Sequence, residues 1–380
     1  MYTSAIRWSV RVEKRKTDRV VFVASTLLCL VLLEVAAGHL FRTTPMTSGK
    51  KLVLTAISGR DRFVRVKDGF MQSHPYLLYT NRPGFASDGV VQINSLGYRG
   101  REITLEKPPG TYRILALGGS TTLSWPYIKD PNRTWTAQVE AGLSRRFPGR
   151  KFEVINAGLP YGTSAELLAG YMFRHRYLKP DLVIIHEGGN DVSPLMFENY
   201  NPEYTHFRAS GVSVFAGRLA RLLLHSNVFR LLYSSFWKGV PSVYVSEPYD
   251  LGLIPPDLAL KRVQETYPLG FERNIDLLVR TIKQDGARVL LVGFVAAREE
   301  NMAKNRPDLA GLGKAIALGI DKDLRVLEQI GARYDVPYLS PAAVEFKDEW
   351  FLDSCHLTPE GEKAKADWIL GGVVNMIGEN

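Results

Sequence analysis

Cysteine is nearly absent from this chain: 380 residues hold only Cys29 and Cys355. One lies in an apolar stretch near the N-terminus and the other beside His356 far downstream, so no disulfide framework can form. No Cys/His cluster, HExxH or paired-histidine spacing accompanies them, so neither a metal nor another cofactor is expected. Also missing is any Lys/Arg block interleaved with aromatics, which argues against nucleic acid as a partner despite a net charge of +9. That charge is uneven. Residues 1–19 carry Arg7, Arg11, Lys14, Arg15, Lys16 and Arg19 against Glu13 and Asp18, a local +4. The remainder is mildly basic. Internal repeats and low-complexity tracts are missing too, and a hydrophobic content of 45% with 23% charged residues suits a globular body with a sizeable core.

One long apolar run stands out, VVFVASTLLCLVLLEVAAGHLF at residues 20–41. About 20 such residues cross a bilayer as a helix. The basic leader before it places the N-terminus in the cytoplasm by the positive-inside rule, with the body exported to the periplasm or beyond. Glu34 is the awkward residue, because a carboxylate in hydrocarbon is costly. A cleavable signal peptide is the competing reading, since Val35-Ala36-Ala37 offers small residues to a peptidase. A basic leader of 19 residues is long for that, and an uncleaved anchor is favoured.

Residues 42–110 read as a linker and N-terminal extension, with turn-rich LLYTNRPG, the stretch NSLGYRG and the breaker KPPG at 107–110. From residue 111 onward short apolar runs alternate with helical spacing. Strands are expected at TYRILALGG, FEVINAG, DLVIIHEGG, ARVLLVGF and YDVPYLS, and helices at 133–147, 164–178 and 359–377. Continuous apolar strands between helices imply a central parallel sheet covered on both faces, a three-layer α/β/α fold. The interval of about 194–285, rich in aromatics and prolines and carrying an apolar-basic helix at 215–233, reads as an insertion or lid.

Ligands of such sheets bind beyond the carboxyl ends of the strands. Four segments carrying reactive groups fall there. Gly118-Gly119-Ser120-Thr121-Thr122 turns sharply into a helix, and Ser120 reads as a turn residue, a cap or a nucleophile. Asn156 to Thr163 can aim a backbone N–H at the same point. Gly188-Gly189-Asn190-Asp191 offers a neutral amide donor or an Asx turn. In Asp353-Ser354-Cys355-His356 a carboxylate three residues before a histidine can hold one ring nitrogen while the other faces a hydroxyl. His175 and His186 lie near apolar faces and read as core or surface histidines.

Together the four segments resemble the signature blocks of the SGNH (GDSL-like) hydrolase superfamily over about residues 111–378, and NSLGYRG resembles the lead-in of its membrane-anchored bacterial members. The resemblance implies a flavodoxin-like α/β/α fold with Ser120 as nucleophile, His356 as base and Asp353 as its orienting partner. The Ser120 N–H and Asn190 would serve as oxyanion donors. Two blocks depart from the pattern. Gly-Gly-Ser replaces the usual Gly-Asp-Ser, and the oxyanion glycine expected five residues after Asn156 is Tyr161 here. Gly162 is then the first choice, with Tyr161 or Gly158 as alternates. Trp125, Tyr127 and Tyr161 flank the expected site as sugar-stacking or wall residues.

The leading expectation is an exported esterase that removes O-acyl groups, acetyl first, from a cell-envelope or secreted polysaccharide through a serine ester. Alternatives are an O-acyltransferase using the same serine, a lipid esterase or thioesterase, and a non-catalytic glycan-binding component. Expected partners are an acylated polysaccharide or other ester substrate, and the membrane through the N-terminal helix.

Overall fold

The structure, a computed structural model, describes residues 2–43, 71–74, 76–87, 91–207, 226–236 and 254–378, with Leu223 and Leu251. The chain divides into two units. One comprises Met1–Asp61 and Val212–Pro241; the other comprises Arg62–Gly211 and Ser242–Asn380.

The first unit opens with helix α1 (Tyr2–Thr43), whose stretch Val20–Leu40 is long and apolar enough to cross a membrane. In the second unit two small antiparallel pairs come first: β1 (Met71–His74) with β2 (Leu78–Asn81), then β3 (Ala86–Ser87) with β4 (Val91–Gln92). The α/β body follows in the order β5 (Thr111–Gly118), α2 (Ser120–Leu123), α3 (Trp135–Arg146), β6 (Lys151–Gly158), α4 (Ser164–Phe173), β7 (Leu182–Glu187) and α5 (Val192–Met196). Helix α6 (Asn227–Phe236) belongs to the first unit. The body resumes with α7 (Pro256–Glu265), α8 (Leu269–Gln284), β8 (Arg288–Gly293), α9 (Gly313–Tyr334), β9 (Tyr338–Leu339) and α10 (Pro359–Gly378).

The five later strands form one parallel sheet in the order β6-β5-β7-β8-β9. Successive strand residues point to opposite faces, and β5 shows the consequence. Leu115 and Leu117 join a core with Leu167 and Tyr171 of α4, Phe271 and Ile275 of α8 and Leu327 of α9. Ile114 and Ala116 join a second core with Trp135 and Val139 of α3 and Ile369 and Val373 of α10. The expected three layers and parallel sheet are therefore present.

Two expectations need correction. The insertion does not extend to residue 285, because α8 is a core helix whose Phe271, Ile275, Leu278, Val279 and Ile282 are fully buried. Those residues follow helical spacing, which the neighbouring prolines and aromatics obscured. The expected helix at 164–178 ends at Phe173 and gives way to a 3₁₀ turn, His175–Leu178. Of the expected helix at 215–233, only Leu223 and residues from Ser226 onward are described; most of the linker after α1 lies outside the described residues.

Candidate active site

The three residues expected to cooperate come together at the carboxyl edge of the sheet. Strand β5 ends at Gly118, and Ser120 opens α2. A side chain at 118 would meet Thr122 Oγ1 at 2.1 Å and the His186 carbonyl at 2.3 Å, so only glycine lets the chain turn this tightly. Ser120 Oγ lies 2.8 Å from His356 Nε2, and His356 Nδ1 lies 2.9 and 2.8 Å from the two oxygens of Asp353. Asp353 Oδ1 also accepts the backbone N–H groups of Cys355 (3.0 Å) and His356 (2.8 Å). The loop is closed by the Leu352 N–H donating to the His356 carbonyl at 2.8 Å, and tied to the end of β8 by the Ala297 N–H donating to Ser354 at 2.9 Å.

Burial works against charge on both Asp353 and His356, but hydrogen bonds and neighbouring charge prevail. Asp353 is held below the usual carboxylate range. His356 is raised above the ordinary imidazole value of 6.5, first by neighbouring Cys355 and then by the hydrogen bond and charge of Asp353. Asp353, Cys355 and His356 also bring three possible metal-ligand atoms within 4.8 Å of one another, but the carboxylate and ring are already bonded to each other.

Asn190 packs over the turn before Ser120. A Cβ on Gly119 would come within 2.6 Å of its Nδ2, which gives the Gly-Gly-Ser variant a local reason. The same Nδ2 donates to the Gly162 carbonyl at 2.8 Å. The neighbouring Asp191 fastens this loop to α4, accepting the Ser164 N–H at 2.8 Å and the Tyr204 hydroxyl at 2.6 Å.

The choice of Gly162 as an oxyanion donor meets a structural objection. Its N–H donates to the Leu159 carbonyl at 3.0 Å, closing a turn in which Pro160 comes second and Tyr161 third, with φ +60°. This is the pattern of a type II turn with a residue other than glycine in the left-handed position. Of the aromatics, Trp125 is buried edge-on against Tyr161 (6.5 Å between centroids), and Tyr127 lies edge-on to His356 (5.8 Å) and is 39% exposed. Of the three, Tyr127 is the one whose ring meets a triad residue. His175 and His186 stay out of the chemistry: His175 bonds the Tyr98 hydroxyl at 2.9 Å, and His186 bonds Thr122 Oγ1 at 3.0 Å within the core.

Sequence reasoning missed the residues that hold this edge together. Buried Arg99, from the stretch NSLGYRG, donates to the carbonyls of Leu123 and Ile128 and so brackets the loop bearing Trp125 and Tyr127. Glu362 accepts from Ser124 Oγ (2.6 Å) and the Trp135 N–H (3.0 Å) and pairs with Lys365, which donates to the Thr121 carbonyl at 3.0 Å. The Glu362–Lys365 pair spaced i, i+3 behind His356 was the available signal. Glu187, at the end of β7, takes the Gly188 N–H at 3.2 Å on Oε1, while its buried Oε2 has no hydrogen-bond partner among the described residues. Asp323 is likewise buried with both oxygens unpartnered, beneath Gly188.

A parallel α/β/α sheet with Ser, His and Asp hydrogen-bonded in series at its carboxyl edge defines a serine hydrolase of the SGNH type. Residues 116–364 match the GDSL-like lipase/acylhydrolase family, and the chain belongs to it. It is an ester-hydrolysing serine hydrolase. Among solved structures, a lipase/acylhydrolase from Enterococcus faecalis is 16% identical, aligned over 70% of this chain and 96% of that one, with a TM-score of 0.40. An acetylxylan esterase from Geobacillus stearothermophilus is 16% identical over 69% of this chain and 94% of its own, with a TM-score of 0.39. No curated protein matches the sequence.

Proposed function

We propose that the protein is a membrane-anchored, exported esterase that removes O-acyl groups, acetyl first, from a cell-envelope or secreted polysaccharide. The observation that carries the chemistry is the 2.8 Å contact between Ser120 Oγ and His356 Nε2, with Nδ1 of the same ring on Asp353. In the reaction His356 takes the Ser120 proton as Oγ attacks the acyl carbonyl, and the tetrahedral oxyanion forms against neutral donors. Those donors are the Ser120 N–H, Asn190 Nδ2 and a third amide. Because the Gly162 N–H is committed to Leu159, the third role falls to Tyr161, whose left-handed backbone occupies the position of the family's glycine. Protonated His356 then returns its proton to the leaving sugar hydroxyl, and a water activated by the same ring hydrolyses the serine ester.

A sugar substrate is supported by Tyr127, whose ring lies edge-on to His356 and is 39% exposed, with Trp125 and Tyr161 packed edge-on against each other nearby. Export is supported by the apolar helix behind a basic leader. The test is acetate release from an O-acetylated polysaccharide by the full-length protein, with Tyr127→Ala in parallel. Acetate release by the parent, with KM raised several-fold in the variant and kcat little changed, supports a stacking role on sugar. Equal KM for both proteins, or activity only on acyl chains without a sugar, overturns it.

A further inference from the structure

The carboxylate that sits awkwardly in the apolar helix has partners. Within the first unit Glu34 accepts from Ser226 Oγ at 2.9 Å, from the Val228 N–H at 3.2 Å and from the Asn227 N–H. These groups form the start of α6, whose first-turn N–H groups have no partner inside the helix. The Asn227 side chain returns a bond to the Glu34 carbonyl at 3.3 Å. On α1, Glu34, Ala37 and Gly38 share one face, and only these three positions between residues 20 and 40 escape full exposure. A Cβ on Gly38 would lie 2.8 Å from Asn227 Nδ2 and 3.7 Å from Asn227 Cβ, so the absent side chain is what admits α6. Small residues at close approach, joined by a polar contact, are how helices associate in membranes.

We infer that α6 is a second membrane element, docked on α1 with Glu34 as its N-terminal cap and lying in the outer leaflet. This rests on the reading of α1 as an uncleaved anchor. The surroundings of α6 follow from its depth along α1. Glu34 lies six residues inside the apolar span ending at Leu40, about 9 Å at 1.5 Å per residue, so α6 begins below the outer end of that span. Leu232 of α6 is 51% exposed, an apolar side chain at the depth of the hydrocarbon. The segment reaches the lipid from the middle of the second unit's sequence, which resumes at Ser242. The N-terminal helix thus serves as a docking partner as well as a leader, and cleavage after it would strip α6 of its cap.

The test uses full-length protein in its membrane, with Cys29→Ser as background. The pair Gly38→Cys with Asn227→Cys has a β-carbon separation suited to a disulfide. Mild oxidation should join residues 38 and 227 within one chain. A Leu30→Cys/Asn227→Cys control should not join, and Glu34→Leu should slow joining of the first pair several-fold. A nitroxide on Leu232→Cys, in a background also lacking Cys355, should relax with oxygen rather than with a water-soluble nickel complex. Failure of the 38–227 crosslink, joining between chains instead, or a nickel-accessible label at 232 each overturns the inference. Alkaline extraction of the parent separates this from failure of the anchor reading. A soluble chain beginning beyond residue 37 sinks the anchor itself, whereas an embedded full-length chain that does not crosslink sinks only the docking of α6.

Discussion

The carboxylates on the two sides of Ser120 are held in opposite ways. On one side Asp353 is surrounded by donors: both oxygens face His356 Nδ1, and two backbone N–H groups converge on Oδ1. On the other side Glu187 and Asp323 are more deeply buried and leave three oxygens unpartnered among the described residues. Burial, reinforced by neighbouring Asp191, raises the pKa of Glu187; burial and the same neighbour raise that of Asp323. One environment favours an ionised carboxylate beside a histidine. The other raises the pKa of carboxyls buried beside the Gly188–Asp191 loop, which favours their neutral form.

The strongest way to break this contrast is Asp353→Asn. It removes the charge that supports protonated His356 and should lower kcat by about 10⁴ while leaving the circular dichroism unchanged. The pH profile should move with it. His356 must be neutral to act as base, so the parent's kcat/KM falls as pH drops through a pKa above 6.5. In the variant that inflection should shift to lower pH, and an unmoved inflection would mean that Asp353 does not set it.

Asn190→Ala probes the opposite side. Loss of one oxyanion donor should lower kcat by about 10²–10³ with KM little altered, measured on an aryl acetate. A variant that loses affinity and keeps kcat would assign Asn190 to ground-state binding.

Much of this site can be read from sequence because its parts are local. Each reactive residue follows an apolar strand or opens a helix, and Asp353 needs only a three-residue spacing to meet His356. What escaped depends on distant contacts. Glu187 looks like the last residue of a strand until burial beneath the turn before Ser120 gives it significance, and Asp323 looks like a surface position on a long helix. Arg99 works by reaching Leu123 and Ile128. The fold was legible for the same reason, strand by strand. The core helix α8 was missed because the loops around it carry prolines and aromatics. The choice among Gly158, Tyr161 and Gly162 could not be made from residue type, because it turns on backbone conformation, and it is Tyr161 that adopts the positive φ.

The smallest effect concerns stability. A carboxyl whose folded pKa is raised binds its proton more tightly folded than unfolded. Its contribution is therefore complete below the unfolded value near 4 and is lost as pH rises toward the folded value. Asp323→Asn should be close to the parent in urea unfolding at pH 4 and more stable than it at pH 8. A variant less stable than the parent at pH 8 would mean that Asp323 is ionised and paired.

The proposed reaction requires Ser120 to form an ester with the acyl group. Full-length protein should be treated with a serine-reactive phosphonate, the adduct located by mass spectrometry, and aryl acetate hydrolysis followed beside Ser120→Ala. A single adduct on Ser120 and a loss of at least about 10³-fold in kcat in the variant are expected. Hydrolysis that survives in Ser120→Ala, or an adduct on another residue, would contradict the proposed reaction.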